Sequence, residues 1–278
     1  MIYCFFLLLF FSFLNFCIFD YFIWWSVFVI CTFVFVLLVK DCDINCLISY
    51  YVLPEVCGYY FLVFNNWKMQ FLLLMLKSGS APFHFWIFSV LEGLKKWYVL
   101  WFLTLQKLPY FFVLVNFWGD FFFIILFIGM VLCYIQVFLL RSFFDMLVVV
   151  STESFNWLLL LSIFSFSDVF FFVFFYYFIM FLVLSYIYSS VNFFSVEMVL
   201  LFFNVPLSLT FFLKILLIFG SGIFVGYFYL FLLFIMPIMS LGISYFFFCI
   251  SMSNFNVGVK YYDYLVYVLF CFGLLVYF

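Results

Sequence analysis

From Ile2 onward the chain is a series of apolar runs of about twenty residues, separated by a few polar positions each. About 20 consecutive apolar residues match a helix crossing the hydrocarbon core of a bilayer. Inside lipid each backbone N–H and C=O must find its partner within the segment, which favours helices. Dividing the chain at charges, Asn clusters and glycines predicts spans at 2–19, 22–39, 46–65, 69–90, 97–118, 121–140, 144–165, 169–189, 196–219, 223–249 and 262–278. The fold class expected is therefore an all-α membrane protein, a single membrane domain over 1–278 with eleven helices. The longest connection, around Ser251 to Asp263, has about a dozen residues, so no water-soluble domain fits.

Composition removes several classes of function. Charged residues make up 7% of the chain, against about 25% in soluble domains, too few to solvate a globular surface of this size. The nine Lys and Arg form no basic run, so no nucleic-acid partner is expected. Nine cysteines include no C-x-x-C, and Cys42 and Cys46 are the only close pair. Most lie in apolar runs as small hydrophobes, which argues against a zinc site or a disulfide framework. His84 is the only histidine, which excludes a bis-His haem. Glycine-rich nucleotide motifs and metal-ligand clusters are absent from the sequence. No cofactor and no soluble substrate are expected in this chain.

The N-terminus lacks a basic region and a small-residue cleavage site, so it reads as the first retained span. Connections after the even-numbered spans carry Lys40, Lys95, Lys96, Arg141 and Lys260, whereas those after the odd-numbered spans carry only Lys68. The positive-inside rule then places the N-terminus inside and the C-terminus outside.

Most charges sit at span ends, where they can snorkel to water. Glu55, Lys77, Lys107, Glu153 and Lys214 lie well within their runs. A mid-bilayer charge costs about 2.5–3.5 kcal/mol on insertion scales, so five unpaired ones would cost on the order of 12–18 kcal/mol. A typical domain has about 5–15 kcal/mol of net stability, so these groups must pair, meet water or shed their charge. A single Lys–Glu couple could be structural. Three lysines and two carboxylates on five different spans exceed what packing requires and read as a proton path. Lysine suits such a path because, unlike arginine, it can exist with or without its proton inside a protein. His84 follows Lys77 by seven residues, near the same face if the helix continues, and reads either as a hydrogen-bonded bystander or as a further relay.

All five prolines fall within proposed spans, and two lie near these lysines. One stretch reads Lys77-Ser-Gly-Ser-Ala-Pro82-Phe-His84, and the other Asn204-Val-Pro206 followed by Lys214. Proline removes one intrahelical hydrogen bond and obstructs another. Non-helical backbone is expected near Gly79 to Pro82 and near Asn204 to Thr210, with the freed carbonyls turned to protein or water. Spans 4 and 9 cross in opposite directions, and paired broken helices in opposed halves mark an inverted repeat. In span 5, Pro109 is expected to free a carbonyl near Leu105, giving Lys107 a hydrated pocket between the halves, level with Lys77 and Lys214.

The run Lys77-Ser-Gly-Ser-Ala-Pro-Phe-His-Phe-Trp86, with Leu91-Glu92-Gly93, Thr104-Leu-Gln106-Lys107-Leu-Pro109, Ser151-Thr-Glu-Ser-Phe-Asn-Trp157 and the stretch from Pro206 through Phe212 to Lys214, resembles the subunit 2 family of mitochondrial NADH dehydrogenase, respiratory complex I. The resemblance covers nearly the whole chain in order, in the short invertebrate form. It implies kinship to cation/proton antiporters, broken helices with central lysines, and eleven helices with the N-terminus in the matrix and the C-terminus in the intermembrane space. Lys77, Lys107 and Lys214 would correspond to the family's central lysines. The family's acidic residue in the second helix has no counterpart in Trp24-Trp25-Ser26-Val27-Phe28, and Glu55 in span 3 is the nearest substitute. The family's histidine in span 7 is replaced by Glu153-Ser154.

The resemblance implies a proton-translocating core subunit of NADH:ubiquinone reductase in the mitochondrial inner membrane. Its partners would be other membrane-arm subunits, other antiporter-like ones among them, and lipid. Lys77, Lys107, Lys214, Glu55, Glu153 and His84 would form the proton path, with Pro82 and Pro206 at the helix breaks. A free-standing cation/proton antiporter would share the broken helices and lysines. A non-pumping structural spacer of the membrane arm would explain the missing acid.

Overall fold

The computed structural model describes residues 2–39, 42–94, 96–117, 120–140 and 142–162, with seven further positions from Val173 to Gly242. Among the described residues all regular structure is helical. The elements are α1 (Ile2–Cys17), α2 (Tyr21–Leu38), α3 (Ile44–Val63), α4 (Trp67–Ser78), α5 (Phe85–Glu92), α6 (Lys96–Leu103), a 3-10 turn (Leu105–Lys107), α7 (Leu108–Val115), α8 (Asp120–Leu139) and α9 (Phe143–Ser162). Three stretches, Tyr21–Leu38, Ile44–Val63 and Phe121–Leu139, are long and apolar enough to cross a membrane. The spans expected beyond residue 165, with Pro206, lie outside the described residues.

Side chains set these boundaries. Asp20 accepts a hydrogen bond from the Phe22 N–H at 3.0 Å and starts α2, and Asn66 accepts from the Lys68 N–H at 3.1 Å and starts α4. Each satisfies one of the amide groups that a helix start leaves unpaired. α1, α2 and α3 begin and end within two residues of three of the apolar runs. Spans 4 and 5 each divide into shorter helices: α4 and α5 flank an irregular segment, while α6 and α7 flank the 3-10 turn.

The chain groups into two compact units, the first comprising Met1–Cys133 with Phe143–Ile163 and the second Tyr134–Ser142 with Phe164–Phe278. In the first unit the principal packed pairs are α1 with α7, α3 with α4, and α2 with α3. Their interior is aromatic: the rings of Phe28 and Tyr110 lie 4.8 Å apart, and those of Phe35 and Tyr50 4.7 Å apart. Large apolar side chains also cover the outside, with Phe6, Phe10 and Phe13 on α1 and Phe22 and Phe33 on α2 all exposed. Glu55, Lys77, Lys107 and Glu153 are buried. Apolar residues outside and charges within suit a hydrocarbon solvent, where a charge is retained only by turning inward. In the second unit, Gly242 lies close against Val137 and Lys214 is buried.

Candidate functional site: two buried lysines

Lys77 owes its position to the way α4 stops. Gly79 adopts the left-handed conformation, with φ of 64°. Its N–H bonds to the Leu76 carbonyl at 3.2 Å, and the Ser80 N–H reaches back to the Met75 carbonyl at 3.0 Å. This is the glycine-terminated helix end that other residues form only with strain. The segment that follows, which contains the cis Ala81–Pro82 bond, ends where His84 opens α5. The carbonyls released by the interruption find protein donors. Trp86 Nε1–H donates to Leu76 O at 2.9 Å, and Asn156 Nδ2–H on α9 donates to Ala81 O at 2.9 Å.

Ending α4 at this depth puts Lys77 in its last turn, where the negative end of the helix dipole favours a cation. The ammonium lies 5.2 Å from the centroid of the Phe28 ring. The aromatic face thus supplies part of the attraction, worth about 2 kcal/mol when desolvated. Lys77 Nζ has no hydrogen-bond partner among the described residues. Glu55, on α3, points inward rather than to lipid, and its Oε1 accepts from Thr32 Oγ1–H at 3.1 Å.

Lys107 closes the 3-10 turn and is buried. Its ammonium donates to Ser151 Oγ on α9 at 2.9 Å and lies 5.4 Å from the centroid of the Phe155 ring. The carbonyl expected to be freed near Leu105 is not free. The tighter turn lets the Leu108 N–H bond to Leu105 O, and Pro109 falls in the first turn of α7, where no amide is needed. The proline therefore restarts the helix instead of opening a gap in it.

Gln106 joins the two lysine neighbourhoods. From the turn that carries Lys107, its Nε2 donates to the Cys31 carbonyl on α2 at 3.1 Å and to the Tyr50 hydroxyl on α3 at 2.9 Å. Tyr50 in turn lies within the electrostatic reach of Glu55. Thr32, Tyr50 and Ser151 were not singled out in sequence. The only sign of them is a polar group inside an apolar run, and nothing local tells which lysine or carboxylate each will meet.

The remaining candidates lie on other stretches of the chain. The interruption between residues 78 and 85 removes the helical register that would have put His84 on the face of Lys77. His84 is fully buried and stacks on Phe85, with ring centroids 4.9 Å apart. Glu153 is buried on α9, two residues beyond Ser151 and so about 200° round the helix from the hydroxyl that Lys107 meets. Lys214 is buried within the second unit, and Pro206 lies outside the described residues.

No family model matches the chain. Two relatives do. The NADH-ubiquinone oxidoreductase chain 2 of Ascaris suum is 42% identical over 204 residues, covering 73% of this chain and 68% of the relative. The protein of the same name from Caenorhabditis elegans is 39% identical over 197 residues, covering 69% of this chain and 70% of the relative.

Proposed function

Because the chain belongs to the NADH-ubiquinone oxidoreductase chain 2 family, we propose that it is the antiporter-like, proton-translocating subunit of the membrane arm of respiratory complex I. On this reading electrons pass from NADH to quinone in neighbouring subunits, and this chain holds no redox centre of its own. It crosses the mitochondrial inner membrane eleven times as an inverted repeat, with its N-terminus in the matrix and its C-terminus in the intermembrane space. Other membrane-arm subunits, antiporter-like ones among them, and lipid surround it. Lys77 takes up the proton of the first half, Lys107 links the halves, and Lys214 serves the second half. Glu55 supplies the counter-charge to Lys77 that Phe28 cannot, and Glu153 and His84 extend the path.

The observation that carries the proposal is the buried polar row of the first unit: Thr32 with Glu55, Tyr50 with Gln106, and Lys107 with Ser151, set among apolar helices. Stability alone does not call for so much buried polarity, since well-packed apolar residues generally do as well as buried ion pairs. The alternative of a structural spacer draws on two observations: Lys77 Nζ has no hydrogen-bond partner among the described residues, and the partner of Lys107 is a hydroxyl.

Lys107 separates the two readings. Arginine stays charged inside proteins and keeps most of the bulk, so it can hold a structure but not exchange a proton. Lys107→Arg and Lys107→Met should both lower NADH-driven proton uptake, about 100-fold if one proton-transfer step is lost, measured in sealed vesicles and normalised to assembled complex. Unchanged uptake with arginine would leave Lys107 a structural charge and favour the spacer.

A further inference from the structure

The space beside Gly58 is bordered by two buried N–H donors. A Cβ built at Gly58, on α3, would lie 3.3 Å from Lys77 Nζ and 3.3 Å from Trp25 Nε1. Both nitrogens are buried, and neither has a hydrogen-bond partner among the described residues. The lysine itself is 4% exposed. A buried donor without an acceptor costs about 1–3 kcal/mol, and more when charged. Two of them, on different helices and converging on one place, share one remedy: a single acceptor that takes a hydrogen bond from each. A hydrogen bond of ordinary length reaches about 2.9 Å from each nitrogen, so a single small acceptor that meets both must lie just beyond the point a Cβ would take. The Phe28 ring attracts the ammonium but accepts no hydrogen bond of ordinary strength, and the Glu55 Oε1 is engaged by Thr32.

We propose that Gly58 and Trp25 are positioning residues for Lys77, which keep a place for one water molecule held between Lys77 Nζ and Trp25 Nε1. Water fits because it accepts two hydrogen bonds and is neutral, so it adds no charge beside Glu55. Glycine at position 58 is needed for its missing side chain, since a Cβ, already in tight contact with both nitrogens, would crowd out a water lying just beyond it. Trp25 is needed for its N–H, which fixes the second side of the water. The inference rests on the proton-translocating reading of Lys77, because positioning matters only if that ammonium exchanges protons.

The test compares Gly58→Ala, Gly58→Ser and Trp25→Phe in the assembled complex in sealed vesicles. Proton uptake per NADH oxidised is the readout. Alanine fills the place with a methyl group that accepts nothing, and uptake should fall roughly tenfold, as for loss of a hydrogen bond to a charged group. Serine has the same Cβ but carries a hydroxyl oxygen one bond further, to the side where the water would lie. It should retain several times more uptake than alanine. Trp25→Phe adds no bulk, and removal of one donor should give an intermediate loss. Equal loss in the alanine and serine variants would mean that space alone matters and would overturn the proposal, as would full uptake in the alanine variant. If Gly58→Ala does not assemble, Trp25→Phe decides, and full uptake there overturns the proposal. Lys77→Met, measured alongside, separates the two levels: normal uptake in that variant refutes the proton role of Lys77 itself, whereas a loss there with full uptake in Gly58→Ala refutes only the water site.

Discussion

Lys77 and Lys107 meet the apolar interior by different means. Lys77 lies beside an aromatic face at the end of a helix, whereas Lys107 has a direct hydroxyl partner in Ser151. The second arrangement is the more exposed to a single substitution. Ser151→Ala removes the hydrogen bond and leaves the ammonium, among the described residues, the Phe155 ring. A hydrogen bond to a charged group contributes about 1.5–3 kcal/mol. Ser151→Ala should therefore lower the inactivation temperature of the solubilised complex and reduce proton uptake along with it. If both stay at the wild-type level, Lys107 does not depend on this hydroxyl.

At the scale of elements, two interruptions set the depth at which the lysines stand. The break in span 4 is held from outside by α8 and α9. Asn156 on α9 meets the Ala81 carbonyl, and Gly129 on α8 permits the approach: a Cβ there would lie 2.4 Å from Ala81 O. That neighbour is backbone and cannot swing aside, so Gly129→Ala must displace a helix or the irregular segment. Overpacking of this kind costs about 1–3 kcal/mol. The amount of assembled complex in membranes should fall clearly with Gly129→Ala, and less with Gly58→Ala, whose neighbours are side-chain ends. Equal assembly of the Gly129 variant and the wild type would show that α8 does not support the break. The interruption in span 5 was legible only in part. Pro109 marks it in the sequence, but a proline signals equally a freed carbonyl or a fresh helix start, and the 3-10 turn selected the second.

Across the whole molecule, the outer apolar faces and the interior charges agree with a chain set in lipid. Lys68 is exposed, and its ammonium lies 5.6 Å from the ring centroids of both Trp67 and Phe121, an aromatic–cationic grouping suited to the membrane–water boundary. The distribution of basic residues predicts that this boundary is the outer one and that Lys95 and Lys96 face the matrix. An impermeant amine reagent added to sealed, oriented vesicles should label Lys68 from one side and Lys95 and Lys96 only from the other. Labelling of all three from the same side would contradict the eleven-span topology.

The sequence by itself determined that the chain is apolar throughout and that its described residues are helical, which charges are out of place, and where span 4 is interrupted. Those properties are local: a run of about twenty apolar residues, a lysine in its midst, and a glycine before a proline each act through their own stretch of backbone. Only the tertiary structure decided what each charge meets. Glu55 finds Thr32 from 23 positions away, Lys107 finds Ser151 from 44, and Gln106 reaches Cys31 from 75. In an apolar interior a polar group takes whichever partner packing brings within about 3 Å. Helix crossings set that partner, and they depend on the shapes of side chains across the whole interface. The same holds for Gly58, whose importance cannot be read from α3 alone, because the two nitrogens beside it arrive on α2 and α4.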